Sequence, residues 1–255
     1  MVHAVSRRSA LLILLVLVLG LPVPAAAQDG GDFRFDTWRP GAFASQRTLY
    51  WCVGASVQMM RNLALGRSER DAERQWRYLR FAQQHDLIPG SSRYRGTDAV
   101  GWAAAADRYL PGEGYTVLAA GAAGRLLDET ARRMRLTGLP AGLVVRGGLH
   151  AWVMTGFTAT GDPRDGVATV TGAWIAGPLW PRRKGLRVPD PAPHTWLDRA
   201  TLIDLLLPVR DGDYRAPWEG ERVAIVPVPP PGPTPTPSPT PTPTPLPSPS
   251  PAPGG

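Results

Sequence analysis

The sequence predicts an α+β fold in which helices come first along the chain and a mostly antiparallel sheet follows. Apolar residues recur at helical spacing through the first half of the folded region, whereas three neighbouring apolar runs of strand length occupy the second half. The last two of these runs are joined by a turn-rich stretch, TGDPRDG at 160–166, which favours direct antiparallel pairing.

Each predicted element follows from a local start or stop signal. Gly66 stands where the first helix would end, Ser68 is an N-cap for the second, and Thr97 or Asp98 can cap the third. The predicted helices cover 52–65, 68–84, 99–110, 122–136 and 202–207. The predicted strands cover 115–119, 141–145, 149–157, 168–176 and 222–226, and residues 29–45 are predicted to form a loop.

The chain divides into three parts. Residues 1–27 read as a signal peptide, with Arg7 and Arg8 before an apolar run at 10–21 and an A-x-A cleavage pattern at 25–27. That run is shorter than the roughly 20 residues of a membrane span, so no stable span is expected. An uncleaved anchor and a twin-arginine export route both remain open. The mature protein is therefore expected to be secreted or extracellular, with cell-wall association an open alternative.

Residues 28–227 form the predicted folded domain, and residues 228–255 form a proline-, threonine- and serine-rich tail. The tail has too few apolar side chains to build a core and is expected to be disordered, as an extended polyproline-type spacer. Its threonines and serines are possible O-glycosylation sites. The simplest interpretation is a solvated stalk without a binding role.

Composition excludes some classes of function. The formal net charge is +7, nearly all of the positive charge is arginine, and the longest basic run is the RRK at 182–184. No basic block is interleaved with aromatic residues, so nucleic acid is not an expected partner. The 43% hydrophobic content is typical of a globular protein. No metal-ligand cluster, phosphate loop or dinucleotide motif stands out, and no cofactor or metal is expected.

Cys52 is the single cysteine, so the domain has no internal disulfide. An unpaired thiol in an exported protein is either a small buried hydrophobic residue or a nucleophile. At the start of a predicted helix, backbone N–H groups and the positive end of the helix dipole favour a thiolate. A thiolate nucleophile also needs a histidine to transfer protons.

His150 is the histidine best placed for that role. It follows Gly147 and Gly148 and opens the most apolar predicted strand, whereas His85 and His194 are predicted to be ordinary surface residues. A histidine in this position is either a hydrogen-bonded core residue or a general base, and the lone Cys52 favours the base.

Three further residues are candidates for the site. Gln46, six residues before Cys52, can donate its amide N–H to an oxyanion, although a polar loop residue is the alternative interpretation. Trp51 and Trp152 lie next to the proposed catalytic residues in sequence and are predicted to line a substrate cleft.

Together, Gln46, Cys52 at a helix start and a Gly-Gly stretch leading to His150 resemble the papain-like cysteine peptidase superfamily. The closest likeness is to the bacteriocin-processing (double-glycine leader) peptidase branch, including its secreted stand-alone members, and covers roughly residues 46–181. The resemblance implies a papain-like fold, with the nucleophile at a helix start packed on an antiparallel sheet. It also implies Gln46 as oxyanion donor, Cys52 as nucleophile, His150 as general base and acid, and a peptide or protein substrate.

The sequence leaves the residue that orients His150 unknown. The Asp-Pro position of the family aligns with Gly177-Pro178, and a glycine has no side chain to orient the imidazole. Three other groups could orient the ring of His150: Asp162 or Asp165 in the turn between two strands, or a backbone carbonyl. The sequence thus predicts a secreted cysteine peptidase-like hydrolase. Two alternatives remain: a catalytically inactive peptide- or glycan-binding domain on a Pro/Thr stalk, and a cell-wall amidase or endopeptidase. For the second alternative, the sequence around Cys52 lacks the Asp-Cys-Ser pattern that cell-wall amidases and endopeptidases often show.

Overall fold

The structure is a computed structural model that describes residues 33–87, 96–182, 189–210 and 217–231. The predicted signal peptide and most of the tail lie outside these ranges. The helices are α1 (Cys52–Leu65), α2 (Ala72–Gln84), α3 (Ala99–Tyr109), α4 (Ala123–Thr137) and α5 (Arg199–Leu205). The strands are β1 (Phe33–Asp36), β2 (Tyr115–Ala120), β3 (Ala141–Val145), β4 (His150–Ala159), β5 (Val170–Ala176), β6 (Thr195–Asp198) and β7 (Arg222–Pro227). The predicted α+β class, with helices and an antiparallel sheet, is confirmed.

The sheet is organised around β4. The strand order is β2-β7-β3-β4-β5-β6, and every pair of neighbouring strands is antiparallel. β4 is longer than its neighbour β3: its first half pairs with β3, from Val145 opposite His150, and its second half pairs with β1, with Phe35 opposite Phe157. All ten residues of β4 are buried. His150 therefore begins a strand that is held on both edges.

Alternation along β4 divides the interior into two cores. Ala151 and Val153 pack into a core shared with α1, α2 and α3, whereas Trp152 and Met154 pack into a core shared with α4 and α5. Successive strand residues point to opposite faces, so each face of β4 is covered by helices. The helix that carries Cys52 lies on the first of these faces.

The structure corrects several predicted boundaries. α2 begins at Ala72 rather than at Ser68, and its N-cap is Asp71, whose carboxylate accepts from the Arg74 N–H at 2.8 Å. Asp98, not Thr97, caps α3 by accepting from the Gly101 N–H at 2.9 Å. β1 and β6 were not predicted, because each has only four residues and depends on pairing with a longer strand. No helix within the described ranges is long and apolar enough to cross a bilayer.

Candidate active site

Cys52 and His150 line the same cavity, which has a volume of about 370 Å³. The residues are almost a hundred positions apart in sequence, and the fold brings the start of α1 to the start of β4. The two side chains lie close enough that Cys52 contributes to raising the pKa of His150. The cavity wall is otherwise mostly apolar and includes Trp102, Val144, Val209, Trp218 and Val223.

Cys52 is the first residue of α1, and this position follows from the local sequence. Trp51 occupies the N-cap position without a side-chain cap, and the first turn of α1 contains no acidic residue. The positive end of the helix dipole and the free first-turn N–H groups are therefore not neutralised by a carboxylate on this helix. The backbone N–H groups of this turn are therefore available to an anionic group beside Cys52.

His150 is placed by a tight turn between β3 and β4. Arg146, Gly147 and Gly148 all have positive φ, at 57°, 65° and 92°. Three consecutive residues in this region are feasible because two of them are glycines, which lack the Cβ that makes the conformation costly. The turn starts β4 at His150, whose ring is buried at the cavity wall.

Asp190 is the orienting residue that the sequence prediction missed. Its carboxylate is fully buried, and both of its oxygens lie close to His150 Nε2, Oδ2 at 2.9 Å and Oδ1 at 3.1 Å. It also accepts from Trp152 Nε1 at 3.0 Å, from Arg146 Nη2 at 2.8 Å and from the Leu179 N–H at 2.8 Å. With Nε2 committed to Asp190, Nδ1 is the ring nitrogen available to Cys52.

Electrostatics at the site favour a charged imidazole. Burial alone would lower the pKa of His150, but the hydrogen bond to Asp190 and the influence of the nearby Cys52 outweigh burial, and its pKa is raised above 6.5. Burial alone would raise the pKa of Asp190, but the hydrogen bond with His150 and those from Leu179 and Trp152 bring it below 3.8. Arg146 lies 2.8 Å from Asp190 and compensates the charge of the carboxylate.

We expect a pH dependence that follows from these two shifts. The stabilisation from His150 is fully present below about pH 6.5 and is lost as the pH rises through its raised folded-state pKa. The stabilisation from Asp190 is present above about pH 3.8 and is lost as the pH falls through its lowered pKa. NMR titration of the His150 ring should give a midpoint above 6.5, and Asp190→Asn should move it down. An unchanged midpoint in that variant would show that Asp190 does not act on His150.

Gly177 makes room for the Asp190 carboxylate. A Cβ at Gly177 would lie 2.5 Å from both Cγ and Oδ2 of Asp190, closer than non-bonded atoms approach. The glycine at the position aligned with the family aspartate is thus not a sign that the carboxylate is missing. The acid is supplied by another Asp-Pro pair, Asp190-Pro191, thirteen residues further along the chain.

Gly177→Ala should therefore destabilise the protein near Asp190 without changing Cys52, His150 or Asp190 itself. Asp190 is held by several donors and has a short side chain, so relieving the overlap moves either the carboxylate or the Gly177 backbone. We expect a loss of about 1–3 kcal/mol in the free energy of unfolding and a downward shift of the His150 titration midpoint. Gly161→Ala is a matched control, because nothing lies within 4 Å of the added Cβ. Equal stability of the two variants by urea unfolding would contradict this packing.

Asp162 and Asp165, the alternatives considered for orienting His150, do not serve that role. Asp162 is paired with Arg135 at 2.9 Å and with Arg164 at 2.7 Å. Both aspartates follow the far end of β4, and nine steps along a strand at about 3.3 Å each separate that end from His150. Asp162 and Asp165 are turn residues.

Gln46 lies on the loop that leads into α1. Its Nε2 donates to the Thr48 carbonyl at 2.6 Å, while its Oε1 is buried and has no partner among the described residues. Gln46 is not among the residues that line the cavity. An amide nitrogen carries two N–H groups, so one remains for an oxyanion. The oxyanion role of Gln46 stays a proposal.

Gln75 fixes the Gln46 loop, a role with no evident signal in the sequence. This buried side chain donates to the Ser45 carbonyl at 2.9 Å and accepts from the Arg47 N–H at 3.2 Å, so it holds both neighbours of Gln46. Gln46 N also donates to the Pro178 carbonyl at 2.8 Å. The loop before Cys52 is thereby tied to the segment that borders Asp190.

The two tryptophans proposed for the cleft have different roles. Trp152 is buried and donates to Asp190, so it positions the carboxylate rather than contacting a substrate, and the cleft prediction is wrong for this residue. Trp51 lies outside the cavity, in a neighbouring groove where it stacks on Trp76 at 5.4 Å. Leu49 and Tyr50 border both spaces.

The other histidines do not belong to the site. His85 is exposed at the end of α2, as predicted. His194 is not an ordinary surface residue: its ring stacks on Trp38 at 4.9 Å and on Trp174 at 5.6 Å, and Nε2 lies 3.3 Å from Asp36. Within the described part of the chain, no group of three or more His, Cys, Asp or Glu side chains is arranged to hold a metal ion.

Comparisons of the chain with models of protein families, with curated proteins and with solved structures give no match in any of the three. The class of protein therefore has to be argued from the geometry of the site.

Proposed function

We propose that this protein is a cysteine hydrolase of the papain-like type that cleaves peptide (amide) bonds. The observation that carries the proposal is the shared cavity wall of Cys52 and His150, with the far nitrogen of the ring hydrogen-bonded to the buried Asp190. Nucleophile, base and orienting carboxylate in this order are the recurring arrangement of acyl-transfer sites.

The proposed reaction uses only groups of this chain and water. The Cys52 sulfur attacks the carbonyl carbon of the scissile bond, and backbone N–H groups at the start of α1, with Gln46, stabilise the oxyanion. His150 gives its proton to the leaving nitrogen as the C–N bond breaks, which leaves a thioester on Cys52. His150 then takes a proton from water, the hydroxide displaces the sulfur, and the carboxylic acid is released.

The residues of the cavity wall indicate which type of substrate side chain lies next to the cleaved bond. Trp102, Trp218 and Val223 provide a mostly apolar surface next to Cys52. A volume of about 370 Å³ accommodates a large aliphatic or aromatic side chain. We infer that peptides with such a residue close to the cleaved bond are the preferred substrates.

The alternative of an inactive binding domain depends on Gly177, which has no carboxylate at the position of the family aspartate. Because the Asp190 carboxylate lies next to Gly177 and contacts His150, the missing side chain at Gly177 is no longer an argument for inactivity. The cell-wall amidase or endopeptidase alternative gains no specific support from the site. Secretion remains part of the proposal and rests on the sequence of residues 1–27 alone.

A mixture of unmodified peptides, analysed by mass spectrometry after incubation with the full chain, tests the proposed function. We expect new termini to appear next to large apolar residues, and Cys52→Ala to produce none. Purified sacculi are incubated in parallel, and released muropeptides there, without peptide cleavage, would favour the cell-wall alternative. Peptides that bind equally to both proteins without being cleaved would contradict the hydrolase and favour a binding domain.

A further inference from the structure

A second concave surface lies on the outer side of α2. We call it the aromatic groove and define it by Trp51, Trp76, Arg80, Phe81 and Tyr109. Trp76 stacks on Trp51 at 5.4 Å, and Phe81 meets Tyr109 edge-on at 5.4 Å and 75°. Trp76 and Arg80 line both halves, so the two halves of the groove adjoin each other.

The groove exposes an aromatic side chain, Trp76, that is not buried in the core of the domain. Trp76 is 44% exposed, although its neighbours Gln75, Tyr78 and Leu79 are buried. The indole N–H of Trp76 has no acceptor within the described ranges. Exposed aromatic rings with a free indole donor are the features by which proline-rich peptides are recognised, because the rings pack against prolines and the donor meets a backbone carbonyl.

The proline-rich tail leaves the domain near the C-terminal end of α3, the helix that carries Tyr109. After β7, the Val228 N–H donates to the Gly114 carbonyl at 2.9 Å. The neighbouring Tyr115 N–H lies 3.3 Å from Oδ1 of Asp107, which shares the last turn of α3 with Tyr109. The root of the tail is thus anchored to the segment that follows α3, the helix whose last residue, Tyr109, lines the groove.

We propose that the tail, residues 232–255, docks along the aromatic groove of its own chain as a polyproline II segment. Proline occupies every odd position from 233 to 253, which pre-orders that conformation and reduces the entropy lost on binding. At about 3.1 Å per residue the tail reaches much further than the roughly 20 Å length of α2. This docking goes beyond the proposed hydrolase and does not depend on it.

Attachment to the same chain is what favours the tail over other occupants. A tethered segment is present at an effective concentration in the millimolar range, which suffices for the weak binding usual for proline-rich peptides. The tail from 232 to 255 carries no charged side chain, so it leaves the ion pair of Arg77 and Glu73 at the rim undisturbed.

Hydroxyl-radical footprinting of the unmodified full-length chain tests the docking. The variant replaces the prolines at odd positions 233–247 with serine, which keeps the length and removes the polyproline preference. We expect labelling of Trp76 to rise about two- to tenfold in this variant, given an effective concentration in the millimolar range. Labelling of Ile203, which is exposed on α5, serves as the reference within each sample.

A matched control replaces the tail threonines with serine and keeps every proline; its Trp76 labelling should equal that of the wild type. Equal Trp76 labelling in the proline variant would overturn the proposal. Protection that increases with protein concentration would assign the groove to a second copy and would also overturn it. Cys52→Ala should show the wild-type footprint, so the outcome is independent of whether the protein is a hydrolase.

Discussion

Asp190→Ala is expected to unfold at a much lower denaturant concentration than the wild type and to lose most peptide cleavage. The substitution leaves the buried His150 without its carboxylate partner and removes the contact between Asp190 and Arg146. Removing one partner of a buried ion pair costs about 3–5 kcal/mol in the free energy of unfolding. Since His150 also loses its orientation and its charge stabilisation, we expect kcat/KM to fall roughly 10²- to 10⁴-fold.

Asp190→Asn separates orientation from charge. The amide oxygen can still accept from His150, but the amide nitrogen replaces an oxygen that accepts from another donor, such as the Leu179 N–H. We expect intermediate stability and activity. The control is Asp71→Asn, because Asn caps a helix about as well as Asp. Wild-type cleavage and stability in Asp190→Ala would contradict the role assigned to Asp190.

His150→Ala should abolish cleavage more completely than any other substitution outside Cys52. Without the ring no group protonates the leaving nitrogen, and no imidazolium stabilises the thiolate. The expected loss in kcat/KM is at least about 10²- to 10⁴-fold, the usual contribution of a general acid and base. Peptide cleavage followed by mass spectrometry measures it.

His85→Ala is the matched control for that loss. His85 is exposed at the C-cap of α2 and is not among the residues that line the cavity. Its removal should leave cleavage at the wild-type rate. Comparable activity of His150→Ala and His85→Ala would remove His150 from the reaction.

The secondary structure was predicted best where local signals are strong. α1 begins and ends at the predicted residues, because its apolar spacing is regular and Gly66 ends it with a left-handed conformation at φ 72°. The pairing partner of Cys52 was also predictable, since few histidines exist and only His150 opens an apolar strand.

Asp190 was missed although an Asp-Pro pair is visible in the sequence. The resemblance placed the acid directly after β5, whereas the chain reaches His150 only after an additional stretch that follows Gly177. Nothing local distinguishes Asp190 from a turn aspartate. Its role depends on donors from three separate segments of the chain. The spacing of residues in the sequence does not reveal that these segments meet.

The sequence prediction for Trp152 is wrong because a residue close to His150 in the sequence need not face the cleft. Two residues apart on a strand share a face, so Trp152 follows His150 towards Asp190, while Ala151 lines the cavity.

The rate of Cys52 alkylation by iodoacetamide near pH 6 tests the central claim, that Cys52 and His150 form a reactive pair. Since Asp190 and Cys52 raise the pKa of His150, its ring can act as the base that activates the sulfur in the native protein. We expect native Cys52 to react at least about tenfold faster than the same cysteine in the denatured chain, and to lose this advantage in His150→Ala. A native Cys52 that reacts only after denaturation, or equally fast without His150, would contradict the account.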